Sequence, residues 1–219
     1  MPEYLYNTRI VSWLLAKRRK HRVNFMLSHI DIRPGMSILY IGCGPDGRSF
    51  ENYVSHDHVI TGIDIVPPEN VHIDHPRFQY YQQDASDLSR FEAKSFDLAV
   101  SIGMMEHICD PQVLEQMVNE MMRVSKQWIV VVPWRYCWIE PHFKFPFFQL
   151  LPENWQIVLA KTFNLHGLGP VIRNESNWIQ KHYQWLPTNE WKRLLKADHV
   201  HISPTLDIIV VIKRHEVSQ

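Results

Sequence analysis

The chain has 219 residues, of which 45% are hydrophobic and 21% charged, and this length suits one well-buried α/β domain better than two. Lys plus Arg and Asp plus Glu both total 23, so no global field favours nucleic acid or an acidic membrane as partner. The 3 cysteines form no CxxC pair and the 13 histidines no HExxH motif, which argues against a disulfide framework or a metal site and favours a reducing cytoplasm.

The first predicted element is an N-terminal helical segment, residues 1–33, with apolar residues at helical spacing up to Ile30. It is expected to pack beside the mouth of the ligand site. Within it the apolar stretch 10–16 is too short to cross a bilayer, and the basic cluster Lys17–Arg22 follows that stretch, unlike the charge of a secretory signal. A solvated helix face fits this cluster, and contact with a phosphate-bearing substrate or a membrane surface stays open.

A strand that runs into a glycine-rich turn, Ile38–Gly47, is the most informative element. Small residues there let main-chain amides approach a ligand, and a helix predicted over residues 48–54 would offer its positive N-terminal end. The spacing Gly42-x-Gly44-x-x-Gly47 also fits the dinucleotide fingerprint. This turn alone therefore leaves both nicotinamide dinucleotides and S-adenosylmethionine open.

Two acids follow at the ends of the next two predicted strands. Asp64 closes the apolar run Val59–Asp64, about twenty residues after the glycine turn, where a carboxylate suits the diol of a ribose. Asp64 therefore fits nicotinamide dinucleotides and S-adenosylmethionine equally, because both carry a ribose. Asp84 ends the third strand, where it would meet an adenine amino group, and this second acid favours S-adenosylmethionine. A fourth strand and its loop follow at residues 95–107.

In this order, the motifs GCGPDG, TGIDI, QQDA and SFDLAVSIGMMEHI resemble the class I S-adenosylmethionine-dependent methyltransferases over about residues 34–133, with a looser match to residue 213. The resemblance implies a cofactor site with the methionine part beside the glycine turn, the ribose on the first acid and the adenine on the second. The residues it implies are Gly42, Cys43, Gly44, Asp64, Ile65, Asp84, Ala85, Ser101 and Ile102. One departure is Tyr40, which stands where the family usually has an acid that orders the methionine amino group.

The same resemblance implies an α/β, Rossmann-like, doubly wound sheet that is mostly parallel, with seven strands and an antiparallel last strand. Residues 34–133 would form the cofactor-binding core of a single domain. A helix is predicted from Asp110 as N-cap and Pro111 as first residue to about Ser125, followed by a fifth strand. An inserted aromatic cap, residues 134–187, and a C-terminal helix with strands, residues 188–219, complete the chain; Thr188 is predicted to cap that helix.

The methyl acceptor is expected over the C-terminal ends of the strands, where the loops after the fourth and fifth strands meet the cap. His142 is the predicted general base, since a hydroxyl acceptor must lose its proton and histidine titrates near neutral pH. His107 is expected to flank the cofactor. The segment Glu140–Phe143 also resembles, loosely, the EPHF-type insert of methyltransferases found among bacterial and archaeal genes for sugars, lipids and cell-envelope polymers.

These features predict a cytoplasmic methyltransferase that transfers a methyl group to an O or N of a small-molecule, glycan or lipid acceptor. Nucleic acid is not expected, because the loop Ser101–Met104 carries no NPPY-like sequence. Two alternatives stay open: a catalytically inactive S-adenosylmethionine-binding regulatory or interaction protein, suggested by Tyr40, and a nicotinamide oxidoreductase, disfavoured by Asp84. The residues do not indicate the oligomeric state.

Overall fold

The computed structural model describes residues 17, 20–45, 50, 54–140, 142–143, 145–163, 165 and 177–213. These residues form a sheet of seven strands, whose bounds are β1 Ser37–Ile41, β2 Val59–Asp64, β3 Phe78–Gln82, β4 Phe96–Ile102, β5 Ser125–Pro133, β6 His199–Ile202 and β7 Ile208–Lys213. Their order is β3-β2-β1-β4-β5-β7-β6. Strands β1 to β5 pair in parallel, and β7 is antiparallel to both of its neighbours. The predicted fold class is therefore confirmed.

Five helices flank or cap this sheet in the described parts of the chain. They are α1 over residues 20–27, α2 Pro111–Val124, α3 Glu153–Thr162, α4 Trp178–His182 and α5 Thr188–Leu194. The helix predicted over residues 48–54 lies outside the described residues apart from Phe50 and Val54, and so do residues 1–16 of the N-terminal segment. None of the described helices combines the length and apolarity that a bilayer span requires.

Helix α2 begins as the sequence predicts. Oδ1 of Asp110 accepts the main-chain N–H groups of Gln112 and Val113 at 2.8 and 3.4 Å, and Pro111 takes a first-turn position that needs no N–H donor. The apolar stripe that includes Leu114, Val118 and Met121 is buried against the sheet. The helix ends at Val124 because Ser125 is already extended and opens β5.

Apolar residues cover the sheet on both faces, as a parallel sheet requires. In β1, Leu39 and Ile41 belong to the core beneath α2, while Ile38 and Tyr40 belong to the core beneath α1. Tyr40 is buried and its ring lies 5.8 Å from that of Phe50. The residue that departs from the family pattern is thus a core aromatic on the α1 side.

The cap has an apolar cluster of its own. Phe143 stacks on Phe148 with ring centroids 4.0 Å apart, and Trp178, Ile179 and Tyr183 pack in the same cluster. Tyr183 also approaches the rings of His107 and His142, each at 4.8 Å between centroids. The cap therefore folds around its own aromatic residues and brings their edge to the C-terminal end of β4.

Candidate active site

The turn after β1 requires glycine at its first position. Gly42 has φ +69°, and its N–H donates to the carbonyl of Ile63 at 2.9 Å. A Cβ on Gly42 would lie 2.6 Å from Cγ of Met104 in the loop after β4. Left-handed backbone and close packing together exclude larger residues at Gly42.

The second glycine of the turn is open on its outer side. Gly44 has φ +71°, and a Cβ built on it would meet nothing within 4 Å among the described residues. Its N–H donates to Oδ2 of Asp64 at 2.8 Å. Because Gly44 has no side chain, a ligand can approach the main chain closely at this position.

The acid at the end of β2 is held by the main chain around it. Oδ1 of Asp64 accepts the N–H of Val66 at 3.2 Å, in addition to the bond from Gly44 to Oδ2. The hydroxyl of Tyr80 donates to the carbonyls of Asp64 and Val66, and burial together with the nearby Asp64 charge raises the pKa of Tyr80 to about 12. The side chain of Ile65 is 71% exposed, an apolar surface beside the carboxylate.

The acid after β3 sits in a tight local turn. Oδ1 of Asp84 accepts both the N–H and the hydroxyl of Ser86 at 2.8 Å, and the residue is exposed. Ala85 packs against the core on the α2 side. Both residues therefore lie at the same sheet edge as Asp64, one strand further out, since β3 pairs with β2 in parallel.

The remaining predicted cofactor residues are more enclosed. Cys43 is buried in the core, so its main chain rather than its thiol faces the turn. Ser101 in β4 is fully buried, and its Oγ has no hydrogen-bond partner among the described residues. Ile102, the next residue, is half-buried and lines a cavity.

That cavity, of about 190 Å³, opens at the C-terminal ends of β4 and β5. Most of its lining is apolar, and its charged or titratable groups come from α1, from the loop after β4 and from the cap. Among the lining residues are Arg22, Met26, Ile102, Glu106, Val132 and His142. The volume is below the roughly 300–1,000 Å³ of a typical ligand pocket, so it suits the reacting end of a molecule rather than all of it.

His142 and the buried acid Glu106 line this cavity, and His107 and a second buried acid, Glu140, lie next to His142. The rings of His107 and His142 are 4.9 Å apart at their centroids. Nδ1 of His142 lies 2.9 Å from Oε1 of Glu140, whose Oε2 also accepts the main-chain N–H groups of His142 and Phe143 at 2.6 Å. Glu140 is fully buried and Glu106 nearly so. We name Glu106, His107 and His142 the His-Glu cluster.

Burial and the neighbouring charges together shift the pKa values of this cluster. Burial raises the pKa of Glu106 to about 7, with the charge of Glu140 adding to the rise and that of His142 opposing it. Burial lowers the pKa of His142, but the hydrogen bond and charge of Glu140, with the charge of Glu106, outweigh it and leave the pKa raised. For His107 burial prevails, and its pKa is lowered.

Gln184 of the cap makes three hydrogen bonds to the loop that carries Glu106 and His107. The main-chain N–H of Gln184 donates to the carbonyl of Glu106 at 2.8 Å. Its side-chain Nε2 donates to the carbonyls of Met105 and Ile108 at 3.2 and 2.5 Å. The 3-10 turn Met105–His107 is therefore docked to the cap through main-chain groups.

Sequence reasoning missed three residues of this site. Arg22 was assigned to a basic cluster, yet its Nε donates to Oδ2 of the buried Asp207 at 2.6 Å and its side chain lines the cavity. Tyr183 and Gln184 carried no signal, because both act through partners that are distant in the chain. The ion pair shows that Arg22 does not belong to a purely solvated face.

Residues 39–128 match the sequence profile of the family described as methyltransferase domain. A search among curated protein sequences gave no significant match. Among solved structures, the fold is similar to a SAM-dependent methyltransferase from Methanosarcina mazei, with a TM-score of 0.51 and 20% identity over 85% of this chain and 95% of that one.

Two further solved structures have the same fold. The 1,6-didemethyltoxoflavin-N1-methyltransferase of Burkholderia thailandensis, with bound 1,6-didemethyltoxoflavin and S-adenosylhomocysteine, gives a TM-score of 0.55 at 14% identity over 93% of this chain and 80% of that one. The N-methyltransferase NodS of Bradyrhizobium japonicum WM9 gives 0.53 at 12% identity over 91% and 96%. Likeness at such identities concerns the fold alone. Residues 39–128 thus match a methyltransferase domain, and the strand order of the sheet agrees with the fold of these S-adenosylmethionine-dependent methyltransferases.

Proposed function

We propose that this chain transfers a methyl group to an O or N of a small-molecule, glycan or lipid acceptor. The observation that carries the proposal is the cavity at the ends of β4 and β5, which is largely apolar and has the His-Glu cluster in or beside its wall. Such a pocket excludes water from a reacting group and provides titratable side chains next to it.

The residues at the strand ends fit the cofactor. The open main chain at Gly44 admits a ligand, Asp64 offers a carboxylate of the kind that accepts from ribose hydroxyls, and exposed Ile65 offers an apolar face for a purine. We propose that the main chain of Gly42 and Cys43 contacts the methionine part of the cofactor. Ser101 and Ile102 are proposed to bind the cofactor on the side that faces the cavity. When bound, S-adenosylmethionine supplies a methyl group on a sulfonium.

Asp84 and Ala85 are proposed to hold the adenine. Oδ1 of Asp84 is occupied by Ser86, while its Oδ2 has no hydrogen-bond partner in the described residues and can accept from an amino group. The parallel pairing of β2 and β3 supports this assignment, because it sets Asp84 next to the proposed ribose site.

We propose His142 and His107 as the catalytic residues, acting where the acceptor loses its proton. Glu140 orients the His142 ring, and the carbonyl of His182 orients His107 through Nδ1 at 3.0 Å. Fixed rings are needed for proton handling, because efficiency depends on hydrogen-bond reach. The domain division stays part of this proposal: residues 34–133 as cofactor core and residues 134–187 as a lid that completes the acceptor pocket.

Two observations support a small acceptor rather than a nucleic acid. The cavity admits only a small group, and the chain has equal numbers of acidic and basic side chains. Two of the structural neighbours act, by their descriptions, as N-methyltransferases, one of them on 1,6-didemethyltoxoflavin. We also propose a cytoplasmic location for this protein. The 3 cysteines support it, because none of them forms a disulfide.

The alternative, a protein that binds S-adenosylmethionine without catalysis, is supported by Tyr40. This residue is a buried core aromatic, so it supplies no carboxylate for the methionine amino group. Calorimetry with S-adenosylmethionine, S-adenosylhomocysteine and NAD tests the cofactor. A screen of acceptors with labelled methyl donor then separates the two functions: turnover with any acceptor supports the enzyme, and tight cofactor binding without turnover across hydroxyl and amine acceptors supports the alternative.

A further inference from the structure

The His-Glu cluster brings three metal-binding side chains together from two parts of the chain. Glu106 and His107 come from the turn after β4, and His142 comes from the cap. One ligand atom from each residue lies within 4.8 Å of those from the other two. A carboxylate and two imidazoles are the donor set of catalytic zinc sites.

Glu106 gives an independent indication of a missing partner. The residue is 2% exposed, and its Oε2 has no hydrogen-bond partner among the described residues. Leaving a buried carboxyl oxygen unsatisfied is costly, so such atoms in native proteins usually have a partner. Glu106 also lines the cavity, where an ion or ligand can reach it.

Both histidines have the outer partners that metal-binding histidines have. Nδ1 of His107 lies 3.0 Å from the carbonyl oxygen of His182, and Nδ1 of His142 lies 2.9 Å from Oε1 of Glu140. A ring that donates through Nδ1 to a carbonyl or carboxylate presents Nε2 as its ligand nitrogen, and these outer partners fix the ring orientation.

We propose that Glu106, His107 and His142 bind a divalent transition-metal ion of the zinc type at the wall of the acceptor cavity. The inference rests on the proposed function for its role: the ion would take an oxygen or nitrogen of the acceptor in an open coordination position and lower the pKa of that group, and His107 and His142 would then assist the proton loss as ligands of the ion rather than as direct bases. Imidazole nitrogens favour Zn²⁺ over Mg²⁺ and Ca²⁺, which prefer oxygen ligands.

The geometry requires only a small closure. Zinc bonds of about 2.0–2.2 Å in a tetrahedron place ligand atoms roughly 3.4 Å apart. The three donors, within 4.8 Å of one another, need to approach by up to about 1.4 Å, which calls for small side-chain adjustments, chiefly of Glu106, because the outer partners hold the two rings. No spacing motif in the sequence indicates this site, because its ligands come from both the turn after β4 and the cap.

The test is a titration of the chelator-treated, full-length protein with Zn²⁺, followed by calorimetry, and with Co²⁺, followed by its visible absorption. We expect one ion per chain. Glu106→Gln and His107→Gln should each weaken binding by roughly 100-fold or more, because each removes a direct ligand. Glu140→Gln should weaken it by about 10- to 100-fold through the orientation of His142.

His72→Gln is the matched control, since His72 is exposed and lies outside the cluster. It should leave the affinity unchanged, and circular dichroism should show that every variant is folded. The proposal is overturned if wild type binds no ion stoichiometrically, or if Glu106→Gln and His107→Gln bind as wild type does. These measurements contain no methyl donor, so they fail independently of the proposed function; methyl transfer that persists in excess chelator would overturn the ion's role in the reaction alone.

Discussion

The main-chain N–H of Gly44 donates to Oδ2 of Asp64 at 2.8 Å, so the acid that ends β2 holds the glycine turn that ends β1. The residue proposed to bind the ribose thus also shapes the turn proposed to face the methionine part. Substitutions of Asp64 act on both, and the choice of substituent separates the two effects.

Asp64→Ala should weaken S-adenosylhomocysteine binding by at least about tenfold, because charged hydrogen bonds to the ribose and the support of Gly44 are lost together. Asp64→Asn keeps an oxygen for Gly44 and should lose less affinity than Asp64→Ala. Calorimetry measures both, with the exposed Asp74→Ala as control. An unchanged dissociation constant in a folded Asp64→Ala variant would remove Asp64 from the cofactor site.

Three glycines with left-handed backbone form a matched series. Gly35→Ala and Gly44→Ala should each cost about 1–2 kcal/mol in unfolding free energy, since both have positive φ but an added Cβ meets nothing within 4 Å in the described parts of the chain. Gly42→Ala should cost more, by about 1–3 kcal/mol, because the new Cβ must displace Met104. Urea denaturation measures these differences.

The affinity for the cofactor should distinguish Gly44→Ala from Gly35→Ala, although the two variants should lose similar unfolding free energy. Gly44→Ala should weaken S-adenosylhomocysteine binding, while Gly35→Ala, which lies in the loop before β1, should not. Equal losses of affinity in both variants would show that the open side of Gly44 is not where the cofactor approaches.

His142→Gln should lower the rate of methyl transfer by roughly tenfold or more with little change in S-adenosylhomocysteine affinity, because the residue lines the acceptor cavity rather than the glycine turn. Once an acceptor is found, steady-state kinetics and calorimetry on one preparation provide both numbers. His72→Gln again serves as control. A variant with full turnover would exclude His142 from the chemistry.

The ion pair between Arg22 and Asp207 should stabilise the fold. Asp207 has a side chain 1% exposed, and Arg22→Leu removes its cation at 2.6 Å, which should lower the unfolding free energy by about 2–4 kcal/mol. Arg33→Leu is the control: its pair with Asp31 is exposed, so the change should stay within about 0.5 kcal/mol. Similar losses in the two variants would show that the Arg22 pair contributes no more than a surface pair.

Local signals explain what could be predicted from the sequence. The start of α2 was predictable because Asp110 and Pro111 act within one turn, and β1, β2, β4, β5 and β7 were predictable because each contains a short apolar run. The predicted cap at Thr188 was wrong: Thr188 is already the first residue of α5, and extended Pro187 precedes it without a side-chain cap. Pro187 fixes the backbone where the chain enters α5, and an interpretation based only on the residue type of Thr188 misses this effect.

Contacts between residues that are distant in the chain explain which features could not be predicted from the sequence. Arg22 and Asp207 are 185 positions apart, and no pattern around either indicates the other. His107 and His142 were each recognised as candidates, but their convergence with Glu106 depends on how the cap folds back over β4. Such a site becomes visible only when the path of the cap is known.

Gln184 has a consequence for attempts to change which molecules this chain binds in its cavity. Its three hydrogen bonds go to main-chain carbonyls, so they do not depend on which side chains the loop after β4 carries. A mutant library that varies the residues lining the cavity could therefore keep Gln184 and preserve the position of the loop after β4 relative to the cap. A chimera that brings in another cap without a glutamine here would keep only the main-chain bond to Glu106 and lose the two side-chain bonds, so we expect the loop after β4 to be held less firmly.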